Sequence, residues 1–494
     1  MASIPQVEIM EQTLLIELIR TLQREEREHV LQFATLSYFN DGRMKAHLIP
    51  LLELCFDHFE DSTNQTLGKD KVYALIFPGQ EFVEGKLEKV IVEAHKVIRA
   101  MLLTHHYFRN ENEFNQALDY SEVIRQRGLD TRYQQLLSKL QKAQKANFGK
   151  NTTCFHQQFR LEYAIYEYEC LNNHTRGDLN TYNTLHALEM HFYLNRLALL
   201  NHFLLQRKMV ANLIVPEGIK TILKENFVSS KLLVNYPLLK ISFSIFNLLK
   251  KDSPVPSDVR ALFELLQLHE TNLDQESLRK FYTYLRNLCV LVSHVFFDNE
   301  EIRLTLFDLY KHNLERNYLL YEGKLHRSTY LAVSLSAVRV KQFDWAYEFI
   351  EKFKNQIFGQ NEEQDIYRFN MALYLFGIEK YSECLDFIPS TSPFLDYLIN
   401  GKRLELKVLY ELNSELLPYK LDAFKMFLSR TSQKLLSETM RQINVDFANL
   451  LTQITNSTPG DPKRSDLLIK RIQEKKQAAE WRWLLEKAKA LKNI

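Results

Sequence analysis

The sequence predicts an all-α protein built from helical hairpins, and three observations predict it. Glycine and proline number only 13 and 12 in 494 residues, each about half the usual ~7% and ~5%. Few tight turns or sheet corners are therefore available. No segment sustains the apolar–polar alternation of a half-buried strand. One local signature also recurs between helical patterns. Lys341-Gln342-Phe343-Asp344-Trp345-Ala346 is followed 38 residues later by Glu379-Lys380-Tyr381-Ser382-Glu383-Cys384. In each, an aromatic stands three residues before a small residue. In a helix–turn–helix repeat the aromatic wedges beneath the turn, and the small residue lets two helices cross closely.

Taken in order, helical patterns cover residues 7–22, 25–36, 44–59, 69–77 and 82–103. The breaks between them are Tyr38-Phe39-Asn40-Asp41-Gly42, the polar Asp61-Ser62-Thr63-Asn64 and the sharp Pro78-Gly79. A third copy of the signature, Asn112-Glu113-Phe114-Asn115-Gln116-Ala117, lies in 103–124. A polar helix over 132–146 follows, capped by Asp130 or Thr131. Over 155–170, Phe155, Phe159, Tyr163 and Tyr166 fall on one helix face and predict a core-facing stripe, which Cys170 continues. Residues 181–207 read as one long helix or two. Ser257 is the expected N-cap after the 251–258 loop, and Asp298, with Glu301, the expected start of another helix. The break at 456–462 precedes a last helix over 463–491, on which Leu468, Ile472, Ala479 and Trp483 form an apolar stripe.

Aligned on turn aromatic and small residue, the pairs Phe114/Ala117, Phe343/Ala346 and Tyr381/Cys384 resemble the tetratricopeptide repeat. They stand at its turn aromatic and helix-B alanine. The sequence departs from that repeat where its helix-A glycine is replaced by His105, Ser334 and Ala372, and where Phe358 replaces the closing proline. The 38-residue spacing also exceeds the standard ~34. The resemblance implies an α-solenoid, a surface that binds something. A second resemblance rests on Ser37-Tyr38-Phe39-Asn40, Phe77-Pro78-Gly79, Phe343-Asp344-Trp345-Ala346 and the terminal 480–487. It is to a family of bacterial all-helical proteins of about this length, which has no established activity to carry over.

Formal net charge is only +2, so a global pull toward nucleic acid or membrane is absent. Five scattered cysteines without a C-x-x-C pair read as free thiols in a reducing compartment. No signal-like start or membrane-length apolar run is present, so the expectation is cytoplasmic.

The catalytic motifs of zincins, hydrolases and dinucleotide or P-loop enzymes are all absent. Gly149-Lys150-Asn151-Thr152 lacks the upstream glycine and strand of a phosphate loop and reads as a helix end. Cys154, His156, Cys170 and His174 are the group closest to metal ligands, but C-x-H is a poor pair, and the expectation is no metal and no cofactor. His186, His191 and His202 near Glu189 read as ordinary helix-surface histidines. Local basic character is stronger. From Arg125 to Lys150 seven cations (Arg125, Arg127, Arg132, Lys139, Lys142, Lys145 and Lys150) face one acid, Asp130. Residues 69–103, with Lys86, Lys89, Lys96 and Arg99, faintly resemble the helical part of winged-helix regulators.

The expected organisation is a helical N-terminal domain (1–103), a tetratricopeptide-like α-solenoid (104–460) and an amphipathic capping helix (461–494). The expected function is a non-catalytic scaffold or adaptor that binds a protein or peptide. The alternative is a nucleic-acid-binding regulator. It would use the N-terminal domain or the 125–150 helix, with Arg125, Arg127, Arg132, Lys139, Lys142 and Lys145 on phosphates.

Overall fold

The computed structural model describes residues 10–492 except 11–12, 41, 61–67, 109–111, 148, 173–176, 211–212, 225–229, 297–298, 359–362, 390–392, 459 and 476. Helices α1–α9 run over Leu14–Thr21, Arg24–Thr35, Lys45–Glu60, Lys69–Ile76, Lys86–Tyr107, Glu113–Gln126, Asp130–Asn147, Thr152–Asn172 and Thr181–Met209. Helices α10–α17 run over Glu217–Lys224, Ser230–Asn235, Pro237–Lys250, Pro256–Leu268, Gln275–Val295, Glu300–Glu315, Arg327–Arg339 and Phe343–Phe353. Helices α18–α24 run over Glu363–Gly377, Tyr381–Phe387, Leu395–Glu411, Leu417–Arg430, Glu438–Thr455, Pro462–Glu474 and Trp481–Ala490. The protein is all-helical. Among the described residues, extended pairing is limited to isolated bridges at Tyr321–Lys324 and Leu325–Ile357.

The chain forms two compact units, Met1–Phe148 with Thr153–Leu188, and Gly149–Thr152 with Glu189–Ile494. In the first, α1–α5 share one apolar core running from Met10 to Met101. Helices α6–α8 build another around Leu118, Tyr133, Leu137, Leu161 and Tyr168. In the second, consecutive helices pack on one another. In several places a helix also packs on the next but one: α12 on α14, α13 on α15, α16 on α18, α18 on α20 and α22 on α24.

The two hairpin signatures fold alike. Phe343 opens α17 and Tyr381 opens α19. The residues two before them, Lys341 and Glu379, both take left-handed backbone, with φ of 58° and 64°. The next residues match as well. Gln342 has φ −86° and ψ 65°, and Lys380 φ −85° and ψ 67°. The hydrogen bonds repeat. Gln342 N donates to Ala337 O at 3.0 Å, and Lys380 N to Leu375 O at 2.9 Å. Such left-handed turns satisfy the last carbonyls of the preceding helix. The small residues are fully buried: Ala346 and Cys384 are both 0% exposed. Phe343, Trp345 and Tyr381 are half-buried, with Trp345 stacked on Phe349 at 5.4 Å.

The third signature is a different turn. Its N-cap Asn112 has φ −104° and ψ 6°, and its side-chain amide donates to Tyr107 O at 3.0 Å. Phe114 and Ala117 are half-buried and pack into the α6–α8 core.

Several expected boundaries move. The first helix begins at Leu14, capped by Thr13, while residues 7–9 and the 61–64 loop lie outside the described residues. Helix α5 waits until Lys86, because Gly85 turns left-handed at φ 77°. Asp130 opens α7 rather than capping it. Residues 181–207 form one helix, α9. Helix α13 starts two residues before Ser257 would allow, with Pro256 first and the Asp258 carboxylate accepting from Val255 N at 3.0 Å. Asn299, not Asp298, caps α15, its side chain accepting from Ile302 N at 3.0 Å; Asp298 lies outside the described residues.

The aromatic stripe of α8 is only partly internal. Phe155 is buried, but Tyr163 is exposed, and Leu161, Glu162 and Tyr168 turn inward instead. Glu162 can do so because Asn180 donates to its carboxylate at 2.7 Å.

The expected last helix is two. Asp461 caps α23, its side chain accepting from Arg464 N at 3.0 Å, with Pro462 in the first turn. The chain then breaks at Glu480, left-handed at φ 52°, before α24. Leu468, Ile472, Trp481 and Trp483 are all buried in the core that α20–α24 share. The indole of Trp481 donates to Ile472 O at 2.6 Å and that of Trp483 to Glu411 at 2.7 Å.

Gly377 marks a close approach that the sequence did not single out. A Cβ there would lie 2.6 Å from Val338 Cγ1 and 3.2 Å from Phe343. Gly377→Ala should therefore force α16 and α18 apart and cost about 1–3 kcal/mol in reversible denaturation, as overpacking does. An unchanged midpoint would mean the helices do not meet there.

Candidate functional site

The basic segment lies on α6 and α7. Tyr133, Leu137, Leu140 and Gln144 turn into the core, so the opposite face of α7 is solvated. Arg132, Lys139, Lys142 and Lys145 are exposed, as is Arg127 after α6. Among the described residues none of these five forms an ion pair. Arg132 donates to Gln135 at 3.1 Å. Arg125 differs: it is half-buried and holds Glu122 at 2.6 Å. On α5, Lys96 pairs with Glu93 at 3.0 Å, and Glu88 takes Lys69 at 3.2 Å, so that surface is of mixed charge.

The Cys/His group does not assemble. Cys154 and Cys170 share α8, and sixteen residues of helix span about 24 Å. Cys154 is buried and His156 exposed, while His174 lies outside the described residues. Among the described residues no group of His, Cys, Asp and Glu could hold a metal ion. His186, His191 and His202 are strung along α9, with His186 stacked on Tyr182 at 6.1 Å.

A further set of charged side chains lies in the second unit. Arg286 comes from α14, Arg303 from α15, Arg339 from the end of α16, Arg403 and Lys407 from α20, and Glu480 from the break before α24. Lys407 holds Glu480 at 2.9 Å and Arg403 approaches it at 3.7 Å. Arg403 also donates to the buried Asn444 at 3.1 Å. Burial alone would raise the Glu480 carboxyl. The charges of Lys407 and Arg403, a hydrogen bond from Lys407 and the charge of Arg339 hold it down to about 2 instead.

The other three cations have no such partner. Among the described residues Arg286, Arg303 and Arg339 form no ion pair. Arg286 Nη2 donates to Thr283 at 2.8 Å, but its Nη1 is buried without a hydrogen bond, as is Arg303 Nε. Burial pulls Arg286 down to about 10. Burial also lowers Arg339, with the charge of Arg303 adding to the shift and that of Glu480 opposing it. Arg339 is nevertheless exposed to water, and the Glu480 side chain keeps 30% of its exposure. The sequence hint was an arginine set in apolar surroundings: Arg286 beside Leu285, and Arg339 between Val338 and Val340.

A second polar cluster ties the α13–α15 region together. Glu270 accepts from Tyr318 at 2.9 Å and lies 3.4 Å from His312 and 3.6 Å from Arg316. Tyr318 stacks on Tyr282 at 5.2 Å. Burial first, then the Glu270 hydrogen bond, pushes the Tyr318 phenol up to about 12. The carboxylate is thus enclosed by donors, the arrangement of a satisfied internal anchor.

No protein family, no curated protein and no solved structure matches this chain. Among the described residues no helix is long and apolar enough to cross a membrane.

Because the folded Glu480 carboxyl titrates below its ordinary 4.5, its ionised form stabilises the fold. That contribution is complete above pH 4.5 and is lost as pH falls toward 2. Glu480→Gln should lower the melting temperature by several degrees at neutral pH, with the difference closing toward pH 2. A gap that is constant with pH would mean the carboxylate is not held by Lys407 and Arg403.

Proposed function

We propose that the protein is a non-catalytic scaffold or adaptor. In this reading the helices of the second unit stack as a tetratricopeptide-like α-solenoid, α23 and α24 cap it, and its surface holds a protein or peptide partner. The observation that carries the reading is the repeated left-handed turn at Lys341 and Glu379, with matching dihedrals and hydrogen bonds. It is joined by the packing of helices on their next-but-one neighbours. Repetition of one hairpin, each copy contacting its neighbours, generates extended binding surfaces. The cap supports the same reading, since a last repeat needs its apolar face covered. Cytoplasmic location fits cysteines that form no disulfide among the described residues, of which Cys55, Cys289 and Cys384 are inert by burial, their thiols pushed up to about 12.

The solvated face of α7 favours the second reading, a nucleic-acid contact through Lys139, Lys142 and Lys145. Affinity purification of the tagged full chain, with and without nuclease and with these lysines reversed to Glu, separates the two. The scaffold reading expects co-purifying protein that survives both treatments. Nucleic acid retained at physiological salt and lost on the triple reversal would replace it with the second reading.

A further inference from the structure

Helix α9 is apolar on two faces, and only one of them is buried. Ala187, Met190, Leu194, Leu197 and Leu204 turn inward. On the other side Leu185, Leu188, Phe192 and Leu199 are between 41% and 73% exposed. With the exposed Asn195 and His202 they recur at alternate spacings of three and four along one uninterrupted helix, Thr181–Met209. That is the seam of a coiled coil, whose residues face a second helix. Single apolar residues on a surface are ordinary. A seam sustained over about 25 Å of helix points to an interaction site.

The charges beside the seam specify the partner. Glu189 and Arg196 each follow a seam residue on the same flank, two turns apart. Glu189 is exposed; Arg196 is half-buried, its guanidinium 5.6 Å from the centre of the Phe192 ring. In an antiparallel pair of identical helices the seam residues meet in layers. Leu188 meets Leu199 of the second copy, Phe192 meets Asn195 of the second copy, and Leu185 meets His202 of the second copy. Antiparallel helices lay like flanks together. Glu189 therefore stands opposite Arg196 of the second copy, and symmetry makes that pair twice. Tyr182 and Phe203, on the same flank, come opposite in the same way. A parallel pair lays unlike flanks together and sets Arg196 beside His191 of the second copy, so the match is lost.

We propose that the chain self-associates through α9: a second copy packs antiparallel on the exposed seam, with two Glu189–Arg196 pairs fixing its direction. The polar Asn195 in the seam fixes register at a cost in stability. A second copy supplies the complementary charges in the required order and a seam of the same length. This association is independent of the scaffold reading above.

The test is sedimentation equilibrium of the full chain at about 50 µM, well above the micromolar Kd of a modest interface. Expected is a mass twice the 58.5 kDa of one chain. Phe192→Glu with Leu199→Glu, at exposed positions, should leave a folded monomer by circular dichroism. Glu189→Arg alone and Arg196→Glu alone each set like charges together twice and should weaken the dimer by about tenfold. Combining the two exchanges regains opposite charges and should return Kd to within about threefold of the wild type. The charge variants keep the test decisive should the Phe192 and Leu199 substitutions prevent folding. A wild type that is monomeric at this concentration would overturn the proposal. So would a dimer that persists when the folded chain carries both glutamates in the seam. A combined charge variant no tighter than the single ones would overturn it too, because the antiparallel opposition of Glu189 and Arg196 would then be absent.

Discussion

The carboxylate of Glu480 meets Lys407 at 2.9 Å and Arg403 at 3.7 Å, and much of the C-terminal architecture follows from that contact. Its left-handed backbone leads into α24, after α23 has ended at Glu474. The change of direction brings Trp481 against the end of α23 and Trp483 against Glu411 at the end of α20. Lys487 joins Glu411 at 2.7 Å, so α24 is fastened to α20 by charge as well as by apolar burial. A partly buried ion pair is no guarantee of net stability. Its value here is positional, because it holds the start of α24 to α20 while both tryptophans enter the core.

The charge of Arg339 also bears on Glu480, so the carboxylate draws on α16 as well as α20. A desolvated guanidinium with an orphaned nitrogen, as at Arg286, is a cost to folding. The Glu270 cluster is a useful contrast. It lies in the same part of the chain and is equally polar, yet its carboxylate is surrounded by phenol, imidazole and guanidinium groups.

What the sequence disclosed and what it hid divide by range. The hairpin at Phe343 and its copy at Tyr381 were legible because the aromatic, the turn and the small residue are local. The left-handed residues were not, since neither Lys341 nor Glu379 is the glycine that usually marks such a turn. The copy at Phe114 misled, since Asn112 stands at its start with φ −104° where Lys341 and Glu379 are left-handed. The Lys407–Glu480 contact at the start of α24 was hidden because its partners lie 73 residues apart. The stripe on α8 misled because Glu162 turns inward with Asn180 as partner, a pairing no helical period encodes. The basic face of α7 was read correctly as local charge.

The central claim is that Arg286 is held charged in buried surroundings, without an ion pair among the described residues, at the expense of folding. The most direct test is equilibrium unfolding of Arg286→Met, which retains an apolar stem and removes the charge. Burial pulls Arg286 down to about 10, so at neutral pH its charged form is disfavoured in the folded protein relative to the unfolded chain. The account predicts that the variant unfolds at a higher denaturant concentration than the wild type, with an unchanged dependence on denaturant. A variant that unfolds at a lower concentration would show that Arg286 is a structural partner and would contradict the claim.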